Sequence, residues 1–71
     1  MLGPVVRERR RELGLRQDEL ADLAGVSTRF VHTLEADKAS VQLDRVVAVL
    51  DVLGLQLRVT PREPDHEATT R

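Results

Sequence analysis

Residues 16–35 run Arg16-Gln17-Asp18-Glu19-Leu20-Ala21-Asp22-Leu23-Ala24-Gly25-Val26-Ser27-Thr28-Arg29-Phe30-Val31-His32-Thr33-Leu34-Glu35. They read as two short helices joined by a tight turn at Gly25. The first, from Gln17 to Ala24, carries small and apolar residues at Leu20, Ala21, Leu23 and Ala24. Asp18 and Glu19 fall in its first turn, where the helix dipole favours negative charge. Ser27 is a sound N-cap for the second helix, Thr28 to Glu35. Val31 and Leu34 turn inward on that helix. Thr28, Arg29, His32 and Thr33 are left together on one exposed, hydrogen-bonding face.

Working outward on the N-terminal side, Pro4 suits a first helical turn, and Gly14 ends the segment. Val6, Arg10 and Leu13 recur at i, i+4 and i+7, so a helix is expected from Pro4 to Leu13. Arg10 interrupts its apolar stripe. Either Arg10 pairs with a buried carboxylate, for which Glu35 is the candidate, or its stem lies on the core and its head reaches water. On the C-terminal side, Ala36 to Ser40 reads as a polar loop and Leu43 to Leu53 as a fourth helix. That helix is apolar on nearly every side except Asp44, Arg45 and Asp51, the pattern of a helix covered twice. After Gly54 the period changes: Leu55, Leu57 and Val59 alternate with Gln56, Arg58 and Thr60, as in a half-buried strand.

No other segment reads as a strand, and a lone strand leaves its backbone groups unpaired. Pairing with the same strand of a second copy about a twofold axis solves this. The expected dimer surface is Val49, Val52, Leu55, Leu57 and Val59. The expected architecture is mostly α: four helices in residues 1–60, with a short C-terminal strand that pairs across a dimer. Residues 61–71, with two prolines, mixed charge and almost nothing apolar, are expected to be a disordered tail.

The chain has 71 residues, no cysteine and two histidines, His32 and His66, far apart in sequence. Disulfides are therefore absent, and neither a structural zinc nor any cofactor is expected. A core this small needs another support, and association with a second copy is what remains. No apolar run approaches the roughly 18 residues that span a bilayer. Arginines follow the first residues directly, without the order of a signal peptide, so a cytoplasmic location is expected. An enzyme is not expected, for want of a phosphate-binding glycine loop, a histidine–carboxylate cluster or room for a pocket.

The net charge of −1 argues against a nucleic-acid partner unless the charges are unevenly placed. Residues 1–16 hold five Arg against Glu8 and Glu12, a net +3, whereas residues 17–40 carry a net −3. The basic footprint thus lies in the first helix, with Arg29 and Lys38 adding to it locally. When two linked helices dock on duplex DNA, the second enters the major groove and the first crosses the backbone. On that geometry Thr28, Arg29, His32 and Thr33 contact bases. Arg29 presents a fork to guanine, and the threonines bond or pack on thymine. Gln17, Lys38 and Ser40 suit phosphates. Phe30 has three open roles: covering the turn, touching a thymine or sugar, or meeting a partner protein. Phe30 and the acidic side chains of Asp18, Glu19 and Asp22 also sustain a rival reading as a protein-binding module.

Arg7 through Leu53 resembles the repressor domain of lambdoid phage repressors and their bacterial relatives, the XRE-type helix-turn-helix family. The residues that carry this likeness are Arg16-Gln17-Asp18-Glu19-Leu20-Ala21-Asp22-Leu23-Ala24-Gly25-Val26-Ser27, then Leu34-Glu35 and Lys38. The resemblance implies a buried Arg10–Glu35 pair, phosphate contacts at Gln17 and Ser27, and base contacts at Thr28, Arg29 and Thr33. Arg16 departs from the family, which often has Thr or Ser there as the cap of the first motif helix. The segment Gly54-Leu55-Gln56-Leu57-Arg58-Val59 is similar to HipB-like antitoxins, which dimerise through such a strand. That likeness implies a repressor of its own palindromic operator, acting as a homodimer and holding a HipA-like serine/threonine kinase toxin.

Overall fold

A computed structural model describes residues 2–38 and 42–62. Four helices follow one another: α1, Leu2–Glu12; α2, Gln17–Ala24; α3, Thr28–Glu35; and α4, Leu43–Val52. α2 packs against both α3 and α4, and α1 rests on α3. Val6 of α1, Leu20 and Ala21 of α2, Val31 and Leu34 of α3, and Val46, Val49 and Leu50 of α4 form one buried cluster, closed by Leu53. No helix among the described residues is long and apolar enough to cross a membrane.

α1 begins two residues earlier than expected, and the shift changes its inward face. That face is Gly3, Val6 and Arg10. Leu13 lies past the last turn and is 45% exposed. Pro4 still sits in the first turn, where its missing N–H leaves no carbonyl unpaired. Gly3 is on the inward face because α1 and α3 nearly touch there. A Cβ on Gly3 would overlap the backbone carbonyl of Glu35.

All four helices end in the same way. At the end of α2, Gly25 takes φ +73°. Its N–H donates to the Asp22 carbonyl at 3.3 Å, and the Val26 N–H donates to the Ala21 carbonyl at 3.0 Å. This pair of bonds is the Schellman stop, which satisfies carbonyls that the helix leaves open and needs a left-handed residue. The same pair closes α1 at Gly14 and α4 at Gly54. In each of these three cases the next residue (Leu15, Val26 or Leu55) packs onto the core, so the stop also turns the chain inward. α3 differs: its left-handed residue is Asp37, at φ +57°. Aspartate is tolerated there at some steric cost, and its carboxylate has a second use. Asp37 Oδ1 accepts the Gly3 N–H at 2.7 Å, tying the start of α1 to the end of α3.

One expectation about the C-terminal part is corrected by the structure, and a second is not shown by it. Val49, expected on a dimer surface, is 0% exposed and faces the core of its own chain. On a helix apolar all round, the pattern alone does not say which side is inward. The exposed apolar residues of α4 are instead Leu43 and Val47. No strand is present among the described residues, and positions 55–62 carry no regular secondary structure. A ladder needs a second strand, and the other described residues offer none. Val52 and Leu55 are half-buried against the core, whereas Leu57 is 46% and Val59 is 96% exposed. Ser40 and residues 63–71, with His66 and most of the expected tail, lie outside the described residues.

Candidate nucleic-acid interface

The outward face of α3 is built on a buried ion pair. Arg10 points inward from α1, and its side chain is only 10% exposed. Glu35, the last residue of α3, has a side chain 2% exposed. Arg10 Nε donates to Glu35 Oε2 at 2.6 Å, and a second guanidinium nitrogen donates to Oε1 at 2.9 Å, a bidentate geometry. The remaining arm donates to the Leu15 carbonyl at 2.9 Å. Burial pushes the Glu35 carboxyl up. Hydrogen bonds from Arg10 and Gln17, with the charges of Arg10 and Arg7, outweigh it and hold the group below its ordinary pKa. The hydrogen bond to Glu35 likewise keeps Arg10 above its ordinary value, against the effect of burial.

Glu35 reaches outward through two further partners. The Gln17 side-chain amide donates to Glu35 Oε1 at 3.1 Å. Only one amide hydrogen is used there, so the second remains for a ligand. Arg7 Nε stands 3.7 Å from the same oxygen. The start of α2 is thereby fixed to the end of α3. Arg16, the departure from the family pattern, makes no side-chain cap bond there, because a guanidinium has no acceptor. Glu19 supplies the other half of a capping box: the Arg16 N–H donates to Glu19 Oε1 at 2.8 Å.

Ser27 caps α3, its hydroxyl oxygen accepting the Phe30 N–H at 3.0 Å. The hydroxyl hydrogen is left over and can donate outward. Thr28, Arg29 and His32 are exposed and Thr33 half-buried, on the side of α3 away from the inward-facing Val31, Leu34 and Glu35. Among the described residues, no hydrogen bond or ion pair engages these four side chains. Phe30 is half-buried and packs against the core cluster. Lys38 is exposed, directly after the Asp37 stop. Gln17, Ser27 and the four outward residues of α3 thus belong to the same two-helix unit, α2 and α3.

The basic footprint is smaller than the count of arginines in α1 suggests. Arg10 is internal. Arg9 donates from Nε to the Leu53 carbonyl at 2.9 Å, closing the end of α4, and also pairs with Glu12 at 3.2 Å. Arg7 and Arg11 are left exposed on that helix. Sequence reading missed Arg9, Gly3 and Asp37, whose partners are remote in the chain. Gly3 precedes the expected start of α1 at Pro4, so it carried no local sign of close approach.

Two helices joined at a left-handed glycine, the second carrying an unpaired polar face and both locked by a buried pair, define a helix-turn-helix protein. A helix-turn-helix family model matches residues 6–59, and the chain belongs to that family. A relative from Sinorhizobium fredii (strain NBRC 101917 / NGR234), the "Uncharacterized HTH-type transcriptional regulator y4mF", is 47% identical over 58 residues. The match covers 82% of this chain and 76% of that protein.

Proposed function

We propose that this protein is a sequence-specific DNA-binding repressor of transcription that acts as a homodimer on a palindromic operator. The observation that carries the reading is the outward face of α3. Thr28, Arg29, His32 and Thr33 have no partner among the described residues, although the helix beneath them is tightly held. Arg29 meets guanine through its fork. Thr28 and Thr33 bond to bases or pack on thymine methyls, and His32 reaches a base edge. Gln17, Ser27, Lys38 and Ser40 take phosphates on either side. Two copies related by a dyad place their α3 helices in major grooves one helical turn apart, about 34–36 Å, or a multiple of it. Repression follows by occlusion of the promoter.

Support for the dimer comes from the apolar surface the monomer leaves open. A groove of about 500 Å³ between α4 and the chain after Gly54 has Leu50 and Leu55 in its lining and the exposed Val47 and Leu57 at its edges. Residues 55–60 pair with their symmetry mate as a two-stranded ribbon, with Leu57 and Val59 covered in the process. The narrower reading, an autoregulating antitoxin that also holds a HipA-like kinase, rests on the likeness of this segment to HipB-like proteins.

Footprinting on the DNA upstream of the protein's own gene is the test. A protected palindrome is expected, and Arg29→Ala with Thr33→Ala should abolish protection while the fold is kept. Unchanged protection in that double variant refutes the assignment of α3 to the groove. A kinase-like protein that co-purifies with the chain and is inhibited by it supports the antitoxin role. Its absence leaves a free-standing regulator.

A further inference from the structure

We propose that Arg7 is a DNA phosphate contact, and that Arg7 and Gln17 together clamp one phosphodiester while Glu35 holds both in place. The inference rests on the DNA-binding reading above and adds a residue to it. Its ground is the unequal balance around Glu35. The two carboxylate oxygens already accept three hydrogen bonds, two from Arg10 and one from Gln17. Arg10 alone neutralises the carboxylate. Arg7 therefore brings a second positive charge to a carboxylate that Arg10 already balances and that already accepts three hydrogen bonds. At 3.7 Å its Nε is beyond hydrogen-bond range of Oε1. Its side chain is 48% exposed, and among the described residues it makes no hydrogen bond.

The position of this surplus cation identifies its ligand. Arg7 Nε and Gln17 Nε2 lie 3.7 and 3.1 Å from the same oxygen of Glu35, so the two groups are close enough to meet two oxygens of one phosphate. One amide hydrogen of Gln17 and the outer edge of the Arg7 guanidinium are available to it. A guanidinium beside an amide donor matches a tetrahedral anion with several acceptors. Arg9 and Arg10, its neighbours on α1, are committed to Leu53 and Glu35. Glu35 acts here as a positioning residue, keeping two flexible side chains side by side before DNA arrives.

The test is the salt dependence of DNA binding by the full chain. Each phosphate contact contributes about 0.9 to the slope of log K against log salt. Arg7→Gln should lower that slope by about 0.9 per bound subunit. The loss of affinity between 50 and 200 mM salt should then shrink by about 3–4-fold per subunit. The change should be equal on operator and random duplex, since phosphates carry no sequence. Arg7→Lys, which keeps the charge, should restore most of the slope, and Arg7→Gln should lower the melting temperature only slightly, because its half-exposed charge is a minor partner of Glu35 beside Arg10. Arg62→Gln removes the same charge at the other end of the described chain and controls for net charge. A slope unchanged in Arg7→Gln overturns the proposal, whether or not melting falls. So does a fall that Arg62→Gln reproduces. Wild-type protein that binds no duplex at any salt overturns the DNA-binding reading itself, whereas wild-type binding with an unaltered Arg7→Gln slope removes only the clamp.

Discussion

Replacing Glu35 by glutamine takes one charge from a pair that water barely reaches. The side chains are 2% and 10% exposed for Glu35 and Arg10. Glutamine keeps the size of the side chain. Its one oxygen can still accept from Arg10, but its amide nitrogen faces a guanidinium N–H, donor against donor. Arg10 is left buried and charged without a counterion. Removing one member of a buried pair costs about 3–5 kcal/mol, and the retained acceptor places this variant near the lower end. A core of this size supplies only about 3–5 kcal/mol, so Glu35→Gln uses most of the stability of the domain. At about 4–8 °C per kcal/mol, the melting temperature falls by roughly 12–24 °C. Thermal melts followed by far-ultraviolet circular dichroism at neutral pH measure this directly. The double variant Arg10→Met with Glu35→Leu fills the same volume without charge and should recover most of the loss. A fall below about 1 kcal/mol in Glu35→Gln alone would refute the view that this pair organises the fold.

Acid should weaken the domain through the same group. The folded Glu35 pKa lies below its unfolded value, so its contribution is complete above the unfolded pKa, about 4.3. It is lost as pH falls through the folded value. Urea midpoints should thus hold between pH 5 and 7 and drop below about pH 4, a fall that Arg10→Met with Glu35→Leu should reduce. Gly3→Ala, despite the better helix propensity of alanine, should destabilise by about 1–3 kcal/mol, because the new methyl meets the Glu35 carbonyl and its backbone cannot yield cheaply. A neutral or stabilising result in chemical denaturation would mean that α1 can shift away from α3. Asp37→Asn should be nearly silent, since asparagine also adopts the left-handed conformation and keeps an acceptor for Gly3. Asp37→Ala loses both and should cost about 1–2 kcal/mol in the same assay.

The parts of the fold visible in sequence are those whose causes are local. The bounds of α2 and α3 follow from an apolar period, a serine cap and a glycine stop, all within residues 16–35. An arginine on an apolar stripe leaves two outcomes, a buried carboxylate or a head that reaches water, and the guanidinium of Arg10 goes to Glu35. What sequence does not carry are contacts between remote positions with no local mark. Gly3 reaches Asp37, 34 residues away, and Arg9 reaches Leu53, 44 residues away. Those two contacts account for the earlier start of α1 and for the smaller basic surface. The alternation of residues 55–60 is plain, but alternation only sorts side chains between two faces. It does not supply the neighbouring backbone that makes a strand. Val49 illustrates the same limit within a helix, since an all-round apolar surface has no preferred inside until its neighbours are placed.

The bond between Asp37 and the Gly3 amide has a practical side. The start of α1 is fastened beside the exit of α3, the helix proposed to enter the major groove. An affinity handle fused directly ahead of Leu2 would hang next to the helix proposed to read bases. A handle placed after Arg62 starts from exposed, irregular chain. Binding measured with the first kind of fusion would report on the handle as much as on the protein, so the second kind is the one to make.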